Sequence, residues 1–323
     1  MASSMTDVQW IEAVEREYLA KFIENGGASV KFVVCLDGVD RHAIRESLKT
    51  SADKASYLWV AVDAAETRLN FLEHVFFAVA RQVPWRALAQ SMLQDAASQV
   101  KMKSPEPGDG EFLDRLALAN FINVEHAAQT LRPALGRRVL ARKDLAREFR
   151  SAMLHLASAE FSSGVDGDAT RSAILAWLTG EERRVTSVRP YGILSPVNRS
   201  NARHLLQSTV RWLSTIEHKG LVLWLDISRI SEAQRRGDGA IHYTRANVLD
   251  AYEVLRQFID SVDESKNLLI IVSASPGFLD EEESGRGFGC YPALRNRVID
   301  DVSDSELANP LGALVRIRKG GTP

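Results

Sequence analysis

The sequence is most constrained by an alternation: short β-branched apolar runs that end in Asp or Ser are separated by stretches with apolar residues at helical spacing. Val30-Lys31-Phe32-Val33-Val34-Cys35-Leu36 has strand length and composition, and the polar turn Asp37-Gly38-Val39-Asp40 leads from it into a helical stretch from Arg41 to about Ser51. Tyr57-Leu58-Trp59-Val60-Ala61-Val62 repeats the strand signal and ends at Asp63, and Leu69, Leu72, Val75, Phe76 and Val79 mark the next helix. Strand, helix, strand, helix implies a parallel sheet, because parallel strands need a crossover long enough to hold a helix. Later strands are predicted at Leu221 to Leu225 running into Asp226, at Leu268 to Ser273, and at Ala313 to Ile317. The amphipathic helix Val248 to Val262 packs its apolar stripe on the sheet.

The remaining segments are helical or irregular. Trp10, Ile11, Val14, Tyr18, Leu19 and Phe22 predict an opening helix stopped by Asn25-Gly26-Gly27, so that residues 1–29 stand before an α/β core of 30–323. The breaker-rich Lys103 to Gly110 reads as a surface loop, after which a helical insertion of about 111–185 is expected, interrupted by Pro133, Gly136 and the turn at 162–168. Leu205, Leu206, Val210, Leu213 and Ile216 form a further amphipathic helix, closed by His218-Lys219-Gly220.

Composition narrows the class. At 45% hydrophobic and 25% charged residues the chain is an ordinary folded protein. Its two cysteines, Cys35 and Cys290, have no paired spacing, which excludes a disulfide framework or a zinc site, and the histidines show no metal spacing. The start MASSMTDVQW has no signal-peptide pattern, and no uncharged run reaches membrane-spanning length, so the expected compartment is the cytoplasm, with no membrane partner. A net charge of −2 argues against a general nucleic-acid coat and leaves room for a local basic face.

A phosphate-binding loop needs glycines, a Lys and a Ser or Thr at set spacing between strand and helix. In the turn Cys35 to His42, Cys35 takes the first glycine, Asp40 the second, Arg41 the lysine and His42 the hydroxyl residue, and Gly38 is the one glycine left. Asp37 and Asp40 bring negative charge where a polyphosphate would sit. Two readings follow: an unusual nucleotide site using Arg41, or a strand-to-helix turn whose aspartates cap the helix. The strand-terminal Asp226 stands where such proteins hold Mg²⁺, but Ile227 follows it in place of a water-activating Glu, so no catalytic residue is assigned. Ser273 and Ser275 end the fourth strand, either to sense a phosphate or to satisfy backbone groups there.

The run Leu131 to Arg150 is strongly basic. Read as one helix, it aligns Lys143, Arg147 and Arg150 on a face, with Arg138 and Arg142 in the adjacent row and Arg137 beside them, either as a solvated surface or as contacts to DNA or an acidic partner.

The order of these segments, with Trp177-Leu178-Thr179-Gly180-Glu181 and Tyr291-Pro292-Ala293-Leu294-Arg295-Asn296-Arg297, resembles the BREX-system ATP-binding family, the BrxC/BrxD-like P-loop proteins of bacterial phage-defence loci. The resemblance runs from about Val30 to Ile317 and implies an AAA+-like P-loop core, related to origin-recognition proteins. It also implies partners among other defence proteins, DNA as a further partner, and a hetero- or homo-oligomer. Members resemble active ATPases in carrying Gly-Lys-Thr/Ser and an Asp-Glu pair, and this chain departs at both Walker motifs. Arg297 matches an Arg placed to reach a neighbouring subunit's nucleotide, the alternative being a salt bridge to Asp300 or Asp301. The chain ends at Pro323, where AAA+ proteins continue into a helical lid, so a lid-less fold is expected. The reading that follows is a non-hydrolysing pseudo-NTPase subunit, with ATP or ADP and Mg²⁺ as the only cofactors to consider. The rivals are an active or nucleotide-switched ATPase using Arg41, and a nucleotide-independent DNA-binding or regulatory module.

Overall fold

All five predicted strands enter one sheet. In the computed structural model, which describes residues 4–106, 111–161, 165–214, 218–232, 237–299 and 309–319, the strands are β1 (Met5–Thr6), β2 (Ala28–Cys35), β3 (Leu58–Asp63), β4 (Leu221–Asp226), β5 (Leu268–Ala274) and β6 (Leu314–Arg318). They pair in the order β1-β6-β2-β5-β4-β3, and every pairing is parallel. This is the α/β sheet of a P-loop NTPase-like fold. β1 has no counterpart in the sequence reading, because two residues are too few to show a period; Met5 and Thr6 add to the edge opposite Ile317 and Arg318.

The chain divides into two units, a sheet unit of Met1–Val79 with His218–Pro323 and a helical unit of Ala80–Glu217. In the sheet unit, α1 (Asp7–Ala13) starts from a capping box between Thr6 and Gln9 and continues as a π-helix over Val14–Phe22, and α2 (Arg41–Lys54) follows β2. Trp10, Val14, Leu19, Ile44 and Leu48 pack on one sheet face against Val33, Cys35, Trp224, Ile271 and Ile317. Each such fully buried apolar side chain contributes roughly 1.5–3 kcal/mol.

After α3 (Leu72–Ala80) the helical unit holds α4 (Trp85–Gln99), α5 (Phe112–Ala119), α6 (Val124–Leu140), α7 (Arg147–Ala159), α8 (Val165–Thr179) and α9 (Ala202–Leu213). The expected insertion of 111–185 lies inside this larger unit. Pro133 and Gly136 do not interrupt the chain as expected: α6 runs through both. Leu131, Ala134, Leu135 and Val139 are buried along it, and that packing outweighs the roughly 3 kcal/mol cost of an interior proline. Asp166 to Asp168 likewise belong to the first turn of α8; residues 162–164 lie outside the described set. Trp85, Phe149 and Trp212 meet edge to face with centroids 6.2 Å apart in each pair.

The sheet unit resumes with β4, the short α10 (Ser228–Ser231), α11 (Arg245–Asp260), β5 and α12 (Pro292–Val298). On the face opposite α2, Tyr252 of α11 meets Phe278 at 5.8 Å, and Phe278 stacks on Phe32 at 5.6 Å. Among the described residues no helix is long and apolar enough to cross a membrane.

Candidate functional site

The chain leaving β2 enters α2 on one face of the sheet, whereas the chain leaving β5 turns through Phe278 onto the other. Between the carboxyl ends of two such strands an open α/β sheet has its crevice. Gly38, Arg41, Asp226, Ser273 and Ser275 all stand at the carboxyl ends of β2, β4 and β5, so the fold brings together the residues singled out from separate motifs.

The turn between β2 and α2 is held from several directions. The Leu36 N–H donates to the Ile317 carbonyl at 2.9 Å, and Val39 N–H to the Leu36 carbonyl at 3.2 Å. Gly38 has a φ of +81°, a left-handed value that a side chain would strain, and the Lys319 stem passes near it. Asp40 is the N-cap of α2: its Oδ1 accepts the N–H groups of His42 at 2.9 Å and Ala43 at 3.2 Å. The His42 side chain is exposed.

Arg41 points toward the end of β4, where its Nη1 lies 3.4 Å from Asp226 Oδ1 and its Nη2 3.9 Å from Glu232 Oε1. Asp226 Oδ1 also accepts the Ser228 N–H at 2.9 Å. Asp63, Asp226 and Ser273 are in register on adjacent strands. Burial pushes the Asp63 carboxyl up, the N–H of Ala65 opposes this, and the charge of Asp226 adds to it. Burial also pushes the Cys35 thiol up to about 11, so it is an inert core group. The two serines do not satisfy backbone groups through their hydroxyls. Ser273 is fully buried with no partner for its Oγ, and Ser275 Oγ meets Ser231 Oγ at 3.1 Å.

Three members of this arrangement escaped the sequence reading. Glu232 lies six residues past Asp226, beyond α10. Arg45 follows Arg41 by one helical turn and lowers the Asp63 carboxyl by its charge. Asp63 was recognised only as a strand end, and the signal that finds it is the order of the strands rather than any motif.

These residues do not fit a polyphosphate as they stand. A helix N-terminus binds an anion through its free N–H groups, and here the N–H groups of His42 and Ala43 are already taken by the carboxylate of Asp40. The cation that would meet the outer phosphates is paired with Asp226 and Glu232. Ile227, fully buried, donates its N–H to the Ser273 carbonyl at 2.8 Å and brings no carboxylate.

The basic run does not form one helix face. α6 ends at Leu140 and α7 begins at Arg147, because Leu145 is buried and the Ala146 N–H bonds Ser208 Oγ at 2.9 Å, which draws the chain out of helical geometry. Arg137 and Arg138 close α6, Arg142 and Lys143 lie in the turn, and Arg147 and Arg150 open α7. Arg138 pairs with Asp95, Arg142 grips Asp144 through two bonds of 2.8 and 2.7 Å, and Arg150 donates to the Leu140 carbonyl at 2.8 Å. Arg137, Lys143 and Arg147 are exposed. Arg297 bonds Asp260 of α11: its Nε lies 2.5 Å from Oδ1 and its Nη2 3.2 Å from Oδ2, which ties α12 to α11. Asp300 and Asp301 lie outside the described residues.

In comparison with known families, the model described as BREX system ATP-binding protein BrxC/D fits residues 128–319, more than half of the chain. The chain belongs to this family. As a BrxC/D protein it is a component of a BREX defence system, and other components of that system are its partners. The match takes in Asp226, Ser273, Ser275, Arg297 and the basic run, and it begins after β2, the 36–40 turn and Arg41. Neither the curated proteins nor the solved structures give a match.

Proposed function

We propose that this BrxC/D chain is a non-hydrolysing subunit of its defence assembly, a pseudo-NTPase that keeps the P-loop scaffold for assembly. The observation that supports it most is the occupied α2 N-terminus, where Asp40 takes the N–H groups a phosphate would need. Arg41, held by Asp226 and Glu232, agrees with it.

The test is calorimetry of ATP and ADP, each with and without Mg²⁺, against the purified chain and the Arg41→Ala variant. No heat of binding at millimolar nucleotide is expected. Tight Mg²⁺-dependent binding lost in Arg41→Ala would overturn the reading and favour the switch, as would ATP hydrolysis abolished by Asp226→Ala.

A second reading, binding of DNA or an acidic protein through the helical unit, rests on how charge is divided. The helical unit carries nineteen Lys and Arg against fourteen Asp and Glu, a balance of +5, whereas the sheet unit carries twenty-one against twenty-eight, a balance of −7. A chain near neutrality thus conceals a basic part suited to a polyanion.

A further inference from the structure

Between α8 and α9 the chain runs through residues 180–201 with one regular element, the 3₁₀ turn Arg189–Tyr191. Helix–helix connections in bundles usually take about 2–8 residues, and much longer ones are commonly functional. From Arg183 to Ser214 the sequence has six arginines and no Lys, Asp or Glu. Apolar groups pin this strap to its neighbours. Val188 and Ile193 are fully buried, Trp177 of α8 donates its Nε1–H to the Ser195 carbonyl at 3.0 Å, and Ser151 of α7 donates to the Tyr191 carbonyl. At the entry to α9, the Asn198 N–H donates to Asn201 Oδ1 at 2.8 Å, and Asn201 Nδ2 to the Pro196 carbonyl at 2.9 Å.

Arg183, Arg184, Arg189 and Arg199 are exposed along this pinned backbone, and Arg203, in the first turn of α9, is partly so. Among the described residues these five side chains make no ion pair and no hydrogen bond, whereas Arg211 donates to the Asp144 carbonyl at 2.6 Å. The acids around them are mostly committed. Glu182 Oε1 accepts the Arg184 N–H at 2.7 Å, Glu148 Oε1 accepts from Ser195 Oγ at 3.3 Å, and Asp168 pairs with Arg171. That leaves the exposed Glu181 and Asp166 against five unengaged guanidinium groups. The strap meets the start of α7 through Glu148, and α9 meets it where Ser208 Oγ accepts the Ala146 N–H, on either side of the exposed Arg147 in sequence.

Three features select the partner. The cations are all Arg, whose planar fork matches phosphate oxygens two at a time. Leu194 is the one large apolar side chain exposed on the strap, so it offers little of the apolar centre that a protein partner would bury, and a polar, basic surface is the kind that meets nucleic acid. Single strands are gripped by aromatic faces, and here the Tyr191 hydroxyl is bonded to Thr170 at 3.0 Å and its ring lies 5.1 Å from that of His155. We infer that the strap is the seat of a nucleic-acid duplex, with Arg189, Arg199 and Arg203 on its phosphates. This rests on the reading that the helical unit binds a polyanion, and it names where and which.

Fluorescence anisotropy of the full chain tests it over a salt series, with a DNA duplex of roughly 30 bp, one strand of that duplex, and poly-glutamate as probes. The duplex should bind most tightly. The triple variant Arg189→Gln, Arg199→Gln, Arg203→Gln should lower the slope of log affinity against log salt by about 2 to 3, with thermal unfolding unchanged because these side chains bond nothing. The corresponding triple change to Lys keeps the charge and should keep a slope near that of wild type. A duplex bound with an unaltered slope by the Gln variant overturns the inference and leaves the broader reading of the helical unit standing, and a Lys variant that loses slope as the Gln variant does overturns it too. No duplex binding at low salt overturns the inference together with DNA as the partner. Poly-glutamate held as tightly as the duplex makes the strap a site for acidic protein, and a single strand held more tightly overturns the duplex assignment.

Discussion

Glu253 of α11 holds more of the sheet unit's surface chemistry than its position suggests. Arg256 grips its carboxylate through two bonds of 2.6 and 2.7 Å, Gln257 donates at 2.8 Å and the Tyr291 hydroxyl at 2.5 Å. These donors, Arg256 first, pull its carboxyl from 4.5 down to about 2. Since the folded group binds its proton less readily than the unfolded one, its contribution to stability is complete above about pH 4.5 and drains away as pH falls toward 2. Glu253→Gln should lower stability at pH 7 by roughly 1–2 kcal/mol, partial exposure keeping the figure modest. Urea midpoints of both proteins at pH 7, 4.5 and 3 check this: the gap should hold between the first two and narrow at the third. A gap independent of pH would show that the carboxylate's charge is not the cause. The same cluster holds a pairing that the sequence does not signal. Arg256 also contacts Asp260, which binds Arg297, thirty-seven residues away in sequence. No motif or spacing along the chain marks a contact at that distance. Arg41 and Asp226 were legible for the opposite reason, since both sit at strand ends that a parallel sheet must align.

At the scale of elements, the junction of β3, β4 and β5 depends on Gly220. Its φ is +158°, and a Cβ there would stand 2.1 Å from the backbone oxygen of Asn267. Its carbonyl accepts the Leu58 N–H at 3.0 Å, and the Leu221 N–H donates to that same Asn267 oxygen at 3.0 Å. Gly220→Ala therefore cannot be accommodated by a side-chain rotation; two strand starts must move apart. A loss of about 3 kcal/mol or more is expected, at the upper end for overpacking because backbone is what must shift. The denaturation midpoint measures it, and amide exchange should quicken first in Leu221 to Leu223 and Leu268 to Ile270. A variant as stable as wild type would refute the assignment. In the sequence, Gly220 reads as part of the His218-Lys219-Gly220 stop of a helix through Ile216; α9 spans Ala202–Leu213, residues 215–217 lie outside the described set, and the glycine serves the strand after it. The strands themselves were legible because β-branched runs buried on both faces have few other folds open to them. Breakers were less informative. Pro133 and Gly136 stay inside α6, while the basic run breaks where no proline or glycine stands, at a buried Leu145. Both outcomes come from tertiary packing, which local propensity does not encode.

For the whole molecule, the division of charge decides which partner class the helical unit can take. Of the seven basic residues in the α6–α7 region, Arg138, Arg142 and Arg150 are engaged within the chain, Arg132 lies over the Phe161 ring, and Arg137, Lys143 and Arg147 face solvent. Those three are the ones able to replace counterions on a phosphate backbone, each contributing about 0.9 to the slope of log affinity against log salt. The wild-type chain should bind a duplex of roughly 30 bp, about three helical turns, at low salt and lose it as salt rises. Changing Arg137, Lys143 and Arg147 to Gln should weaken binding uniformly across sequences and reduce the slope by about 2 to 3. Fluorescence anisotropy over a salt series measures both quantities. Changing Arg138, Arg142 and Arg150 instead should leave the slope nearly unaltered and cost stability, since those side chains hold Asp95, Asp144 and the Leu140 carbonyl. If the duplex binds with a slope that the first triple variant does not change, the contact lies elsewhere on the helical unit. If no duplex binds even at low salt, the balance of +5 is there for an acidic protein surface, and the acidic sheet unit of another copy is the first such surface to test.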